Sequence, residues 1–126
     1  MPMFVDPNER VPVTVGENTV YIRAKMSAGT KALLEDEIKR GGTVRRKEGE
    51  ETVVEAEVSG FGSYEMLLRI HNIVAWEGPD FVDADGKPIP CTRANIMRMD
   101  PTDPLYELVG ERIGELNAKP ESPDPN

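Results

Sequence analysis

Apolar and polar residues alternate near the start of the chain and later switch to a helical period. Val11, Val13 and Val15 are separated by Pro12 and Thr14, the two-residue period of a half-buried strand. Pro12 has no amide hydrogen to offer a ladder, so this strand belongs at a sheet edge. A turn at Gly16-Glu17-Asn18 leads to Val20, Ile22 and Ala24 on one face, with Tyr21, Arg23 and Lys25 on the other. Two such runs about a Gly/Asn turn predict a hairpin. Residues 1–10, with Pro2 and Pro7, read as an arm ahead of it.

Helical spacing follows. Ser27 suits an N-cap, Leu33, Leu34 and Ile38 form an apolar stripe over residues 28–40, and Gly41-Gly42 is the expected stop. Residues 43–59 predict a second hairpin, with a returning strand at 43–46 and a charged tip at Lys47-Glu48-Gly49-Glu50-Glu51. In it Val54, Ala56 and Val58 alternate with Val53, Glu55 and Glu57. After Gly60-Phe61-Gly62, Ser63 suits a cap. Met66, Leu67, Ile70, Ile73 and Val74 then predict a core helix over 64–76, closed by Gly78-Pro79.

Ala84-Asp85-Gly86-Lys87 predicts a tight turn. Thr92 caps a short helix carrying Ile96, Met97 and Met99. Asp100-Pro101 and Asp103-Pro104 each place an N-cap before a proline at the first helical position. The last helix carries Leu105, Leu108, Val109, Ile113 and Leu116. Residues 119–126 hold three prolines and no apolar side chain, a solvated tail. The pattern has no internal repeat. It predicts a single α+β domain over 11–118: one or two β-hairpins packed on three to four helices, with a helical C-terminal half.

Composition narrows the partners. The 126 residues fit one domain, and with 38% apolar and 30% charged positions the core is modest and the surface strongly solvated. Fifteen basic residues against 23 acidic give a net charge of −8, a field that repels a polyanion over most of the surface. No run of eighteen apolar residues occurs, so no membrane span is expected. Residues 1–8 lack the basic start and apolar stretch of a secretory signal, and the early Asp6 and Glu9 disfavour a transit peptide. The lone Cys91 excludes an internal disulfide and fits a reducing compartment. The expectation is a cytosolic acidic domain with neither nucleic acid nor membrane as partner.

Candidate chemistry is sparse. Asp83-Ala84-Asp85-Gly86 is similar to the middle of a calcium loop. Aligning Gly86 with that loop's glycine, however, puts Phe81 at the first carboxylate and Thr92 at the bidentate glutamate, so a plain turn is the better account. His71 and Cys91 would be a nucleophile–base pair only with an orienting third group, which the pattern does not supply. Lys39, Arg40, Arg45, Arg46 and Lys47 form a cationic cluster, but Glu48, Glu50 and Glu51 stand beside it and neutralise it. No carboxylate pair sits in an apolar context that would separate proton affinities. The sequence therefore yields no catalytic, metal or cofactor-binding residue, and no enzyme is expected. Methionine is the notable excess: six occur, with Met66 on the core helix and Met97 close to Met99. Thioethers suit surfaces that accept varied apolar partners, and they also fill core gaps. With Trp76 as an aromatic anchor, Met97 and Met99 are the candidate partner-binding residues.

The run Ile73-Val74-Ala75-Trp76-Glu77, then Asp83-Ala84-Asp85-Gly86-Lys87-Pro88-Ile89-Pro90, then Thr92-Arg93-Ala94-Asn95-Ile96 resembles tail assembly chaperones of long, non-contractile-tailed bacteriophages. The opening Asp6-Pro7-Asn8-Glu9 before a two-stranded segment fits as well, and the pattern spans residues 6–117. The resemblance implies a protein that coats the tape measure protein, recruits tail tube protein onto it in the host cytoplasm, and is missing from the mature virion. Many members of the family are also made in a form extended by translational frameshifting, and residues 119–126 are where such an extension would join if this chain has one. A homo-oligomer through the edge of the second hairpin is an open alternative. So is a role as structural subunit of the mature tail or neck.

Overall fold

A computed structural model of the chain describes residues 3–47 and 61–119, with side chains for 3–39 and 64–119. Strands β1 (Arg10–Val15) and β2 (Asn18–Arg23) form the expected hairpin, with Val13 opposite Val20 and Val11 opposite Ile22. Gly16 turns the chain with φ 63°. The three-stranded antiparallel sheet has the order β1-β2-β3, so Pro12 does lie on an edge strand. The N-terminal arm is folded back only locally: Asp6 accepts the amides of Asn8 and Glu9, and Glu9 accepts from the Ala24 amide.

Helix α1 (Ala28–Lys47) begins as its sequence predicts, with Ser27 Oγ accepting the Thr30 amide at 3.1 Å. It does not stop at Gly41-Gly42. Glycine permits a left-handed closing residue but does not impose one, and each glycine in a helix costs only about 1 kcal/mol relative to alanine. The helix carries on through residues 43–46, which are therefore not the returning strand of a second hairpin. The remainder of that expected hairpin, 48–59, lies outside the described residues.

The next correction concerns the core helix. Helix α2 (Phe61–Asn72) starts two residues before the expected cap Ser63 and ends at Asn72, and the chain enters strand β3 (Ile73–Glu77) directly. Ile73 and Val74 continue the helical apolar spacing, but Ile-Val-Ala-Trp is also a short β-branched and aromatic run, which spacing alone cannot tell from helix. The free edge of β2 decides it: Val20 faces Trp76 and Ile22 faces Ile73, with a bulge between them. The helix end is satisfied by side chains. Asn72 Nδ2 donates to the Leu68 carbonyl at 2.8 Å, and Arg23 Nε donates to the His71 carbonyl at 2.8 Å.

A 3₁₀ turn (Pro79–Phe81) follows β3, then a turn at 83–87 in which Asp83 accepts the amides of Asp85 and Lys87, as a plain turn requires. Helix α3 (Arg93–Met97) is capped by Thr92, whose hydroxyl accepts the Asn95 amide. Of the two Asp-Pro pairs only the second starts a helix. Asp103 caps α4 (Pro104–Leu116), whereas Asp100 accepts from Thr102 in the preceding turn. Helix α4 packs on β1 and β2, and α2 sits among α1, α3 and α4. The core between sheet and helices holds Val13, Val20, Ile22, Leu34, Leu67, Leu68, Ile73, Ile96, Leu105, Val109 and Ile113. Asn117 ties the far end of α4 to the chain before α1, with its Oδ1 accepting the Met26 amide at 2.8 Å. Leu33, expected on the buried stripe, is 59% exposed, one helical step away from buried Leu34. Among the described residues no helix is long and apolar enough to cross a membrane.

Candidate functional site: an open apolar groove

Trp76, opposite Val20 in the sheet, is partly buried against the core, and the turn from β3 into the 3₁₀ helix folds Phe81 onto it. The two rings stack with centroids 4.8 Å apart and planes within 15°. Only glycine fits at position 78. Its φ is 135°, and a Cβ there would stand 2.7 Å from the Asn18 Cα and from the Glu17 carbonyl oxygen. The indole Nε1 donates to the Ile89 carbonyl at 2.7 Å, and the Ile89 amide bonds back to Phe81. Asn18 and Asp80 exchange a second pair of bonds, with Asn18 Nδ2 donating to the Asp80 carboxylate and the Asp80 amide to Asn18 Oδ1. Residues 76–90 thus form one braced wall.

Residues 95–106 form the other. Between them lies an open groove of about 380 Å³ whose apolar bed is Trp76, Phe81, Ile89, Met99, Leu105 and Tyr106. Its mouth carries Asp80, Asp100, Asp103 and Arg98, all exposed. Two hydrogen bonds from Thr102 hold the Asp100 carboxyl below its ordinary range, which keeps it charged. Of the three residues expected to meet a partner, Trp76 and Met99 come together in this groove. Met97, 54% exposed at the end of α3, does not line it. Two residues apart at a helix end, Met97 points to solvent, while the Met99 amide closes on the Ile96 carbonyl and its side chain packs against the core.

Behind the groove lies a contact that sequence reasoning missed. Arg69, 5% exposed, donates through Nε and Nη2 to the Tyr106 carbonyl at 3.2 and 3.0 Å and through Nη1 to the Glu65 carbonyl at 3.0 Å. Its guanidinium also lies 3.9 Å from the centre of the Tyr106 ring. Gly110 makes room for it, because a Cβ there would overlap the guanidinium. A lone arginine among the apolar positions of α2 and a glycine in mid-α4 are the only signals of this contact in the sequence, and neither points to the other.

Neither His71 nor Cys91 lines the groove. His71 Nε2 lies 2.6 Å from Glu37 Oε1, and the other oxygen of Glu37 pairs with Arg93, so Glu37 links α1, α2 and α3 through a hydrogen bond to the histidine and an ion pair with the arginine. Burial pushes the Cys91 thiol up, opposite to the shift that activates a nucleophile. No cluster of three or more metal-ligating side chains occurs among the described residues. Comparison of the chain with protein-family models, curated proteins and solved structures yields no match.

Proposed function

We propose that this chain is a non-enzymatic binding protein acting as a tail assembly chaperone of a long, non-contractile bacteriophage tail. In the host cytoplasm it holds the tape measure protein, recruits tail tube subunits to it, and leaves before the virion is complete. The observation that carries the reading is the open groove in which Trp76 and Met99 share an apolar bed. Such a groove shelters one or two apolar side chains of a helix that would otherwise aggregate. Weak contacts of this kind, repeated along a long partner, add through multivalency. The net charge of −8 keeps such an assembly in solution. The class of partner comes from the residue pattern at 73–77, 83–90 and 92–96.

The test is co-expression with the tape measure protein of the same phage. The wild-type chain is expected to keep that partner soluble and Met99→Ala to weaken the effect, whereas alanine at both His71 and Cys91 leaves it intact. Unchanged precipitation of the partner overturns the proposal. Mass spectrometry of purified virions supplies a second arm: finding the chain there in fixed copy number replaces the chaperone by a structural subunit of tail or neck.

A further inference from the structure

The groove has a charge pattern as well as an apolar bed, and the two together define what it takes. Among its charged lining residues three aspartates stand against one arginine, Arg98, which donates to the Asn95 side chain. Each aspartate is fixed in place by a local bond: Asp80 by Asn18, Asp100 by Thr102 and Asp103 by the Leu105 amide. We propose that the groove binds a protein segment with an aromatic or long aliphatic anchor flanked by lysine or arginine, the anchor lying on Trp76, Met99 and Leu105 and the cations facing Asp80, Asp100 and Asp103. The inference rests on the groove being the binding site, and it adds the chemistry of the ligand.

The most exposed apolar segment that a second copy offers among the described residues does not meet that description. It is Met3-Phe4, each residue 85% exposed, and it is followed by Asp6 and Glu9. Acidic flanks would meet the acidic mouth, within molecules that already repel each other at −8. Like charges placed together at an interface exclude a partner as firmly as a clash does.

Neutralising the mouth leaves the fold alone. Asparagine caps a helix as well as aspartate does, and an amide oxygen still accepts the bonds from Asn18 and Thr102. Asp80→Asn, Asp100→Asn and Asp103→Asn therefore remove charge and keep geometry. The probes are two synthetic amphipathic helical peptides with the same leucine and phenylalanine face, one flanked by lysines and one by glutamates. The readout is the fluorescence of Trp76, the only tryptophan in the chain.

The lysine peptide is expected to shift the emission and to bind more weakly as salt rises. Its affinity should fall about two- to fivefold with each Asp→Asn change and more than tenfold with all three, at unchanged melting temperature. The glutamate peptide should bind at least tenfold more weakly than the lysine one. Equal binding of both peptides, or a triple variant that binds as wild type, overturns the charge rule and leaves the groove reading standing. If neither peptide moves the Trp76 signal, the groove reading falls with it. A Trp76 shift that grows with protein concentration and no peptide overturns the proposal in favour of a second copy.

Discussion

Tyr106 has two sides, and they are built on opposite principles. On its inner side Arg69 fills a space sized by Gly110, with three hydrogen bonds to carbonyls and its guanidinium against the ring. A buried charge tolerates little displacement, because every lost bond leaves a polar group without water. On the outer side the same residue meets open space, a methionine with three rotatable bonds, and a stacked Trp–Phe pair. The inner side fixes where the groove bed stands, and the outer side leaves it free to adapt. Precision and adaptability sit a ring's width apart: the helix packing has one fixed partner, and the groove side is open.

Substitutions that disturb the backbone of the outer wall should be the most damaging. Gly78→Ala forces a side chain onto the Asn18 backbone at a φ alanine rarely adopts, and a cost of about 3–4 kcal/mol is expected in urea denaturation. Trp76 fluorescence should report loss of the Phe81 stack at the same time. On the inner side, Gly110→Ala is diagnostic by its sign. At an exposed helical site that change gains up to about 1 kcal/mol, but here the displaced Arg69 should make it lose about 2 kcal/mol. Combining it with Arg69→Met should cost less than the two single changes summed, since the clash is then gone. Additive losses would show that Gly110 and Arg69 do not share the space.

Much of the fold was legible, and the reasons are local. The hairpin follows from alternating valines about a glycine turn, and α4 from Asp103-Pro104 followed by a regular stripe; both signals lie within a few residues of the structure they specify. The α2–β3 junction was not legible, because Ile73 and Val74 satisfy both periods and the choice is made by the edge of β2, some fifty positions earlier in the chain. The Gly41-Gly42 stop failed for a related reason, since a breaker lowers helix stability without determining what comes next. Of the residues chosen by type, Trp76 and Met99 line the groove and Met97 does not, because nothing in composition says which way a side chain points at a helix end. The acidic mouth was invisible: Asp100 and Asp103 read as helix caps, of which only Asp103 is one, and Asp80 carried no signal at all.

The two methionines sharpen the comparison at smaller scale. Met99→Ala removes a half-buried side chain from the groove bed and should cost about 1 kcal/mol, well below the loss for a fully buried methionine. Its larger effect should be on peptide binding. Met97→Ala should alter stability by less than about 0.5 kcal/mol and leave binding unchanged. Equal binding losses for the two would mean that the contact surface extends beyond the groove onto the exposed end of α3.

An effect that vanishes in acid is expected at Glu37, on the far side of α2 from Tyr106, and pH isolates it. Arg93 first, then His71, hold its carboxyl below the ordinary value of 4.5, and partial burial opposes them. A carboxyl with a lowered value in the folded state binds its proton later than in the unfolded chain. It therefore contributes stability above about pH 4.5, and this is lost as pH falls through the folded value. Glu37→Gln keeps two polar atoms in place but carries no charge. It should cost about 1 kcal/mol at pH 7 and almost nothing in strong acid, so that the wild-type and variant stability curves converge as pH falls through the folded value. Because this network joins α1, α2 and α3 without touching the groove lining, peptide binding at neutral pH should be unaffected. Curves that stay parallel into strong acid would show that the Glu37 charge is not what stabilises, and a groove weakened by Glu37→Gln would show that the network and the binding surface are one cooperative unit and not two.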